Sequence, residues 1–429
     1  MNGKIVIGIL GSGTVGSGVV EVLRENMGDI VQRIGRDISI KTVLVRDLSK
    51  KRSNLDGIKL TDKAEDILND PEINIVVELM GGLNPALDYM LAAMEQGKHV
   101  ITANKDVVAQ FGEKLFATAE KHHVEFKFEA SVGGGIPIIT PLKQCLTANK
   151  ISLIMGIVNG TTNYMLTKMA ENGSDYDEVL KEAQAKGYAE ANPAADVEGL
   201  DAARKAAILG SIAFNTRVKL EDVSVEGITG IKAADIAYAT ELGYVIKLLA
   251  VAKDYGDQGV NVRVHPVFLP SSHPLATVKD VFNAIFLRGN AIGDAMFYGQ
   301  GAGSLPTASA VVADIIAVAR DMVIGNTAVT GCTCYNDRPK CPLNATESSY
   351  YIRLLVDDEP GVLGAIATAF GDSDVSLKSV IQTRMVKEYA EIVAVTHVVK
   401  HEKLEKAKAL LQNLPVVSKI CNIIRVDEE

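Results

Sequence analysis

The sequence predicts an α/β chain: a doubly wound parallel sheet first, an α+β region after it, and a small βαββαβ module at the C-terminus. Three observations predict it. Short runs rich in Ile and Val recur between Ile5 and Ala130 with helical segments between them, as a parallel sheet covered on both faces requires. The first of these runs is followed at once by Gly11-Ser12-Gly13-Thr14-Val15-Gly16. The pattern then changes near residue 137, and residues 350–426 read as strand, helix, two strands, helix and strand.

Residues Lys4–Leu10 alternate and then crowd with Ile and Val, and the glycine run leads into the helical Val19-Val20-Glu21-Val22-Leu23. Glycines 11, 13 and 16 permit the tight turn, the approach of backbone to a pyrophosphate, and close packing of helix on strand. With Thr14 and Val15 they form the candidate phosphate-binding set, at a helix N-terminus that attracts anions, and the region reads as Rossmann-type. Further strands are predicted at Ile40–Val45, Ile73–Leu79, His99–Thr102 and Glu125–Ala130. The second ends at Arg46, where an acid would serve the ribose of NAD and an arginine can instead accept a 2′-phosphate. NADP is therefore favoured, and NAD stays possible through the adjacent Asp47. Thr102-Ala103-Asn104-Lys105 stands where strand ends open onto the ligand crevice, which places Lys105 for substrate or nicotinamide. Glu129 and the loop Ala130–Pro137 have two readings: a carboxylate and carbonyls around a hard cation, or a glycine hinge.

Residues 137–300 mix helices with strands at Ile151–Val158, Val223–Ile228 and Val260–Phe268, which suits a substrate domain. Here Asp196–Lys205 concentrates acids and a lysine ahead of the apolar helical run Ala206–Phe214. Asp201 and Lys205, four apart, share a helix face, either as a solvated ion pair or as a chemical site. Gly299–Thr307 opens a helix rich in Ala and Val that packs back on the first domain, and Gly301 could approach the nicotinamide end. The expected dinucleotide-binding domain is thus 1–136, completed by about 301–325. A linker, 326–348, holds Cys332, Cys334 and Cys341, whose spacing favours free thiols over a zinc motif. In the last domain, 349–429, strands are predicted at Tyr351–Val356, Leu377–Gln382, Glu391–His397 and Lys419–Arg425, with helices at Val362–Phe370 and Leu404–Leu411. The turn Asp357–Leu363 could hold an amino-acid carboxylate on backbone amides, and a plain dimerisation sheet is equally open.

Composition narrows the partners. At 429 residues and 47% hydrophobic content the chain fits two or three domains. With 44 basic against 53 acidic residues, a net charge of −9, it is not built to bind nucleic acid or an anionic membrane through bulk charge. No apolar run has the length of a membrane span, the first residues lack the features of a signal peptide, and five cysteines make no disulfide framework. A cytoplasmic protein with a small-molecule partner is expected. The seven histidines show no metal-ligand spacing.

The run Ala183-x-x-x-Gly187-Tyr188-Ala189-x-x-Asn192-Pro193-x-x-Asp196-Val197-x-Gly199-x-Asp201-x-x-x-Lys205 closely resembles the motif of homoserine dehydrogenases. The glycine turn, Thr102–Lys105, Asn159–Tyr164 and Gly301 resemble that family in the same order, and the last module resembles an ACT domain. The resemblance covers nearly the whole chain and implies the monofunctional form, without an aspartokinase region. It implies NAD(P)-dependent interconversion of L-aspartate 4-semialdehyde and L-homoserine, on the route to threonine, isoleucine and methionine. Lys205 matches the family's proton donor, which burial or a neighbouring cation could tune, and Lys105 a second lysine near nicotinamide and substrate. Glu190 and Asp201 match positions that hold the substrate, Asp196 supports them, and Gly187, Tyr188 and Thr161 match positions lining the same pocket. Glu129 with the carbonyls of Val132, Gly134 and Ile136 matches a monovalent metal site, with sodium as the implied ion. For the ACT module the resemblance implies feedback by threonine and pairing into a homodimer or homotetramer. Two competing readings are an aspartate-semialdehyde dehydrogenase acting through a cysteine and a non-enzymatic sensor. The first would need Cys145, which reads as buried packing inside a helix, and the second would not need Lys205.

Overall fold

The computed structural model describes residues 4–326 and 331–427. It forms two compact units: Met1–Val158 with Arg204–Asp222 and Asn283–Asp337, and Asn159–Ala203 with Val223–Phe282 and Arg338–Glu429. These units cut the chain differently from the division read in the sequence. The region 137–300 contributes to both, and one boundary falls inside the helix Leu200–Ala213.

The first unit holds a six-stranded parallel sheet. Its strands are β1 (Ile5–Leu10), β2 (Ile38–Leu44), β3 (Lys59–Thr61), β4 (Ile75–Glu78), β5 (His99–Thr102) and β6 (Phe126–Lys127), in the order β3-β2-β1-β4-β5-β6. Chain progression reverses between β1 and β4, which makes the carboxyl ends of these strands the natural ligand crevice. Ile7, Ile9, Ile75, Val77 and Ile101 are buried, as strands covered on both faces demand. One strand was not predicted and one predicted strand is shorter. β3 escapes the periodicity because it is three residues long and starts with an exposed lysine. The strand read through Ala130 stops at Lys127, and Glu129–Ser131 is a 3-10 turn. There the Glu129 carboxylate accepts from the amides of Ile138, Ile139 and Thr140, which draws the chain round.

The helix Ser304–Ile324 completes this unit. Ala308, Val311, Ile315 and Val318, spaced three and four apart, enter one apolar core with Val19, Val20 and Leu23 of the helix Thr14–Glu25 and with Ile5, Ile7 and Ile9 of β1. Ser304 Oγ also donates to the Thr14 carbonyl at 2.7 Å. The same unit contains the strand Ile151–Ile157, paired antiparallel with Phe282–Gly289, beside which runs Gly293–Gln300. The sequence reading did not place these last two strands.

In the second unit the eleven-residue strands Tyr244–Asp254 and Val260–Pro270 pair antiparallel. The C-terminal module has the predicted βαββαβ order: Glu347–Asp357, Val362–Gly371, Leu377–Val386, Tyr389–Thr396, His401–Asn413 and Val417–Val426, with a short extra strand at Val399–Lys400. Its own core is built from residues such as Ile352, Leu354, Ile366, Phe370, Ile392 and Leu404. The module is not a separate bead on the linker. Its last strand pairs in parallel with Val260–Pro270 at Val267 with Arg425 and Phe268 with Val426. A buried ion cluster adds to this seam: Arg353 reaches Asp235 at 2.8 Å and Glu391 at 3.0 Å, and Asn422 donates to Asp235 at 2.9 Å. Among the described residues no helix is long and apolar enough to cross a membrane.

Candidate active site

At the carboxyl ends of β1, β2 and β4 lies a cavity of about 460 Å³, lined by Gly11, Ser12, Gly13, Arg46, Arg52 and Tyr89 among others. Each glycine of the turn has its own reason. Gly11 adopts φ +106°, a Cβ on Gly16 would overlap the Gly11 carbonyl oxygen, and a Cβ on Gly13 would meet open space where a ligand can approach. Gly13 is also the N-cap of Thr14–Glu25 and supplies no side-chain cap, so the first amides, including those of Thr14 and Val15, are left for an anion. Arg46 is exposed two residues beyond β2. Asp47, the competing ribose partner, turns into its own loop: its carboxylate accepts from the Ser49 amide at 2.8 Å and the Ser49 hydroxyl at 2.6 Å, which hold its pKa down. Arg52, which the sequence reading missed, donates to the carbonyls of Asp47 and Lys50 and faces the same cavity, together with one acid, Asp62.

Buried Glu78 organises the neighbouring strand ends. One carboxylate oxygen accepts from the Met80 and Gly81 amides at 2.7 and 3.2 Å, the other from the Thr102 hydroxyl at 2.6 Å. Thr102 in turn accepts from the Asn104 amide, and Asn104 caps the helix Lys105–Lys121 while donating to Gly82. Lys105 is thereby held at the first position of that helix. Its neighbour Asp106 pairs with Arg204, so the helix carrying Lys105 is tied to the helix segment carrying Lys205. Lys205 Nζ donates to the Val158 carbonyl at 2.7 Å, which fixes the ammonium at the end of the strand Ile151–Ile157.

The loop after Glu129 is tied down by hydrogen bonds. Besides its three carboxylate contacts, Glu129 donates its amide to Asp314 at 2.8 Å, so a carboxylate read as facing a cation is engaged by the main chain. A Cβ on Gly134 would overlap the Gly301 carbonyl, and one on Gly301 would overlap the Asn283 amide. Both glycines therefore have a packing reason independent of any ligand. Burial pushes the Asp314 carboxyl up to about 7.

In the second unit one side chain gathers the acids. Asn159 Nδ2 donates to Asp196 at 2.7 Å and to Asp201 at 3.0 Å, while its Oδ1 caps the helix Gly160–Asn172 at the Thr162 amide. Asp201 is buried and Asp196 half-buried. Thr161 donates to the Tyr188 carbonyl, and Tyr188 packs on Tyr164 with ring centroids 4.9 Å apart. Gly187 turns the chain with φ +75°. Glu190 is not drawn into this cluster: it is exposed on the following loop, where its carbonyl accepts from Gln184. Asn159 was missed as a positioning residue although it opens the segment Asn159–Tyr164.

Cys145 is exposed at the end of the short turn Pro141–Cys145, against its reading as buried packing, because this turn is only five residues long. Cys332 accepts from Arg217 at 3.2 Å, and Cys341 is buried. Among the described residues no three His, Cys, Asp or Glu side chains converge as metal ligands.

Known proteins resemble this chain in sequence and fold. The family description for the homoserine dehydrogenase NAD binding domain matches residues 11–129, that for homoserine dehydrogenase matches 137–316, and that for the ACT domain matches 350–416. The chain is 46% identical to a homoserine dehydrogenase of Synechocystis over 98% of this chain and 99% of that protein. It is 42% identical to that of Bacillus subtilis over 99% and 98%. The crystal structure of a homoserine dehydrogenase from Thiobacillus denitrificans matches with a TM-score of 0.95 at 42% identity, covering 99% of this chain and 98% of that one. A hyperthermophilic archaeal homoserine dehydrogenase in complex with NADPH matches 74% of this chain and 98% of its own, with a TM-score of 0.63 at 28% identity. The chain thus belongs to the homoserine dehydrogenases, NAD(P)-dependent oxidoreductases, in the form that carries a C-terminal ACT domain.

Proposed function

We propose that Lys205 is the proton donor in the NAD(P)-dependent interconversion of L-aspartate 4-semialdehyde and L-homoserine. The observation that carries this reading is the 2.7 Å hydrogen bond from its ammonium to the Val158 carbonyl, on a helix anchored by Arg204 to Asp106 beside Lys105. When bound, the coenzyme supplies hydride from C4 of its nicotinamide. The aldehyde oxygen then gains negative charge, and the Lys205 ammonium is the group assigned to neutralise it by giving up a proton, with Lys105 assisting. Asp201 and Glu190 are assigned to the substrate ammonium, Asp196 supports Asp201 through their shared donor Asn159, and Gly187, Tyr188 and Thr161 shape the pocket.

NADP is the proposed coenzyme. Arg46 and Arg52 offer two guanidinium groups to a 2′-phosphate, and Asp47 is occupied by Ser49. Sodium is the proposed ion of the loop 132–136. The carbonyls of Val132, Gly134 and Ile136 are hard neutral donors that suit it, and Glu129 holds the loop in shape through its three amide contacts. The ACT module is assigned to an amino-acid effector, threonine, and its paired copies to a homodimer or homotetramer. One assay tests the core of this reading: oxidation of NADPH and, separately, NADH with aspartate semialdehyde, with and without threonine. Turnover faster with NADPH supports it, and an inert enzyme contradicts it.

A further inference from the structure

The strand Val260–Pro270 carries Asn261, Arg263 and His265 at alternate positions, hence on one face. Arg263 is only 7% exposed, and the side chains it donates to are neutral. Nε donates to His265 Nε2 at 3.0 Å, and Nη1 donates to Asn261 Oδ1 at 2.9 Å and to the Tyr255 hydroxyl at 3.4 Å. His265 Nδ1 lies 3.0 Å from the Pro266 carbonyl, an atom that only accepts, so Nδ1 carries the ring proton and Nε2 offers its lone pair to Arg263. Burial and the nearby Arg425 and Arg263 hold the His265 pKa well below its usual value, so this ring is neutral as well. Arg263 is therefore a buried cation with no carboxylate partner among the described residues. Buried charges in folded proteins are ordinarily paired.

Arg263 faces a cavity of about 350 Å³, and so do Arg425, Lys408, Tyr350 and His401. Arg425, 8% exposed, reaches Glu226 through Nη1 at 3.2 Å, yet its Nε is buried without a hydrogen-bond partner. The acids of the cavity are already engaged, Glu226 by Arg425 and Glu405 by Lys408 at 3.2 Å. What is left over is donors. Arg353, in the same unit, shows the opposite case: two carboxylates meet it.

We infer that this cavity is a binding site for a small oxyanion, a carboxylate or phosphate group, anchored by Arg263 and assisted by Arg425 and Lys408. Arg263 Nη2, which takes part in none of the three contacts above, can donate to an oxygen of such a group, and the apolar Val264, Leu404 and Ile423 line the remainder for a few carbon atoms. The site is separate from the residues assigned to coenzyme and substrate. Its walls come from the strand Val260–Pro270 and from the module's helix His401–Asn413, so an occupant would brace one against the other.

Calorimetric titration of the full-length enzyme, held in saturating NADP and constant chloride, tests this with potassium phosphate and with succinate as probes. Saturable binding of either is expected: phosphate alone identifies a phosphoryl ligand, succinate alone an organic acid, and both the oxyanion itself. Arg263→Gln should weaken that binding about tenfold or more, the loss of one charge-assisted contact, while turnover is unchanged. If this buried substitution prevents folding, the half-exposed Lys408→Glu decides, with a several-fold weakening expected. No saturable binding of either probe, or binding that survives the deciding substitution, overturns the inference.

Discussion

The two units offer functional groups in opposite ways. In the first, the main chain does most of the presenting: amides behind Gly13, the amides of Ile138, Ile139 and Thr140 that engage Glu129, and the Val158 carbonyl that holds Lys205. In the second, side chains hold one another, with Asn159 gathering Asp196 and Asp201, and Arg353 gathering Asp235 and Glu391. Backbone groups are rigid and weakly charged, so they suit a phosphate that must be met from several directions. Side-chain clusters concentrate charge in one place and fail together when one member is removed.

Breaking the second kind of cluster should therefore have the largest effect on stability. Arg353→Met leaves Asp235 and Glu391 buried without their cation, and we expect a loss of about 3–5 kcal/mol, read as a lower midpoint in urea unfolding. Asn159→Ala removes the donor shared by Asp196 and Asp201, at about 1–3 kcal/mol for a contact left unmade. The expected readout is a KM for aspartate semialdehyde raised about tenfold or more, with NADPH affinity unchanged. Arg46→Ala sharpens the contrast from the other side. The glycine turn and its amides survive, so NADH use should be unaltered while kcat/KM with NADPH falls about tenfold, the scale of one charge-assisted contact.

The smallest effect concerns a buried acid in the first unit. The Asp314 carboxyl is pushed up to about 7 by burial, so the folded state holds its proton more tightly than the unfolded chain does. Its contribution to stability is full below about pH 4, the ordinary carboxyl range, and is lost as pH rises through about 7. Asp314→Asn keeps an oxygen for the Glu129 amide and removes the titration. Melting curves between pH 5 and pH 8 should fall less steeply with pH in the variant than in the parent.

What could be read from residues alone follows the same division. β1, β4 and β5 were legible because both faces are buried and each carries adjacent Ile and Val, and the glycine turn because spacing encodes backbone geometry. Lys205 and Asp201 stood out as charges ahead of an apolar helix. Their organisers did not. Asn159 lies 42 residues from Asp201 in the chain, and Asp235 lies 118 from Arg353, distances that no local pattern spans. Glu78 left a usable signal, an acid at the end of an otherwise apolar strand, where buried charge requires a partner such as Thr102. Glu129 has a second task that its residue type did not announce: besides the cation role suggested for it, its carboxylate accepts from the amides of Ile138, Ile139 and Thr140.

The assignment of Lys205 is tested most directly by the steady-state turnover of Lys205→Ala, measured together with its affinity for NADPH. A proton donor contributes about 10²–10⁴ to the rate, so we expect kcat to fall by that factor while the coenzyme dissociation constant stays that of the parent enzyme. Turnover undiminished in a variant that binds NADPH normally would contradict the role given to this side chain.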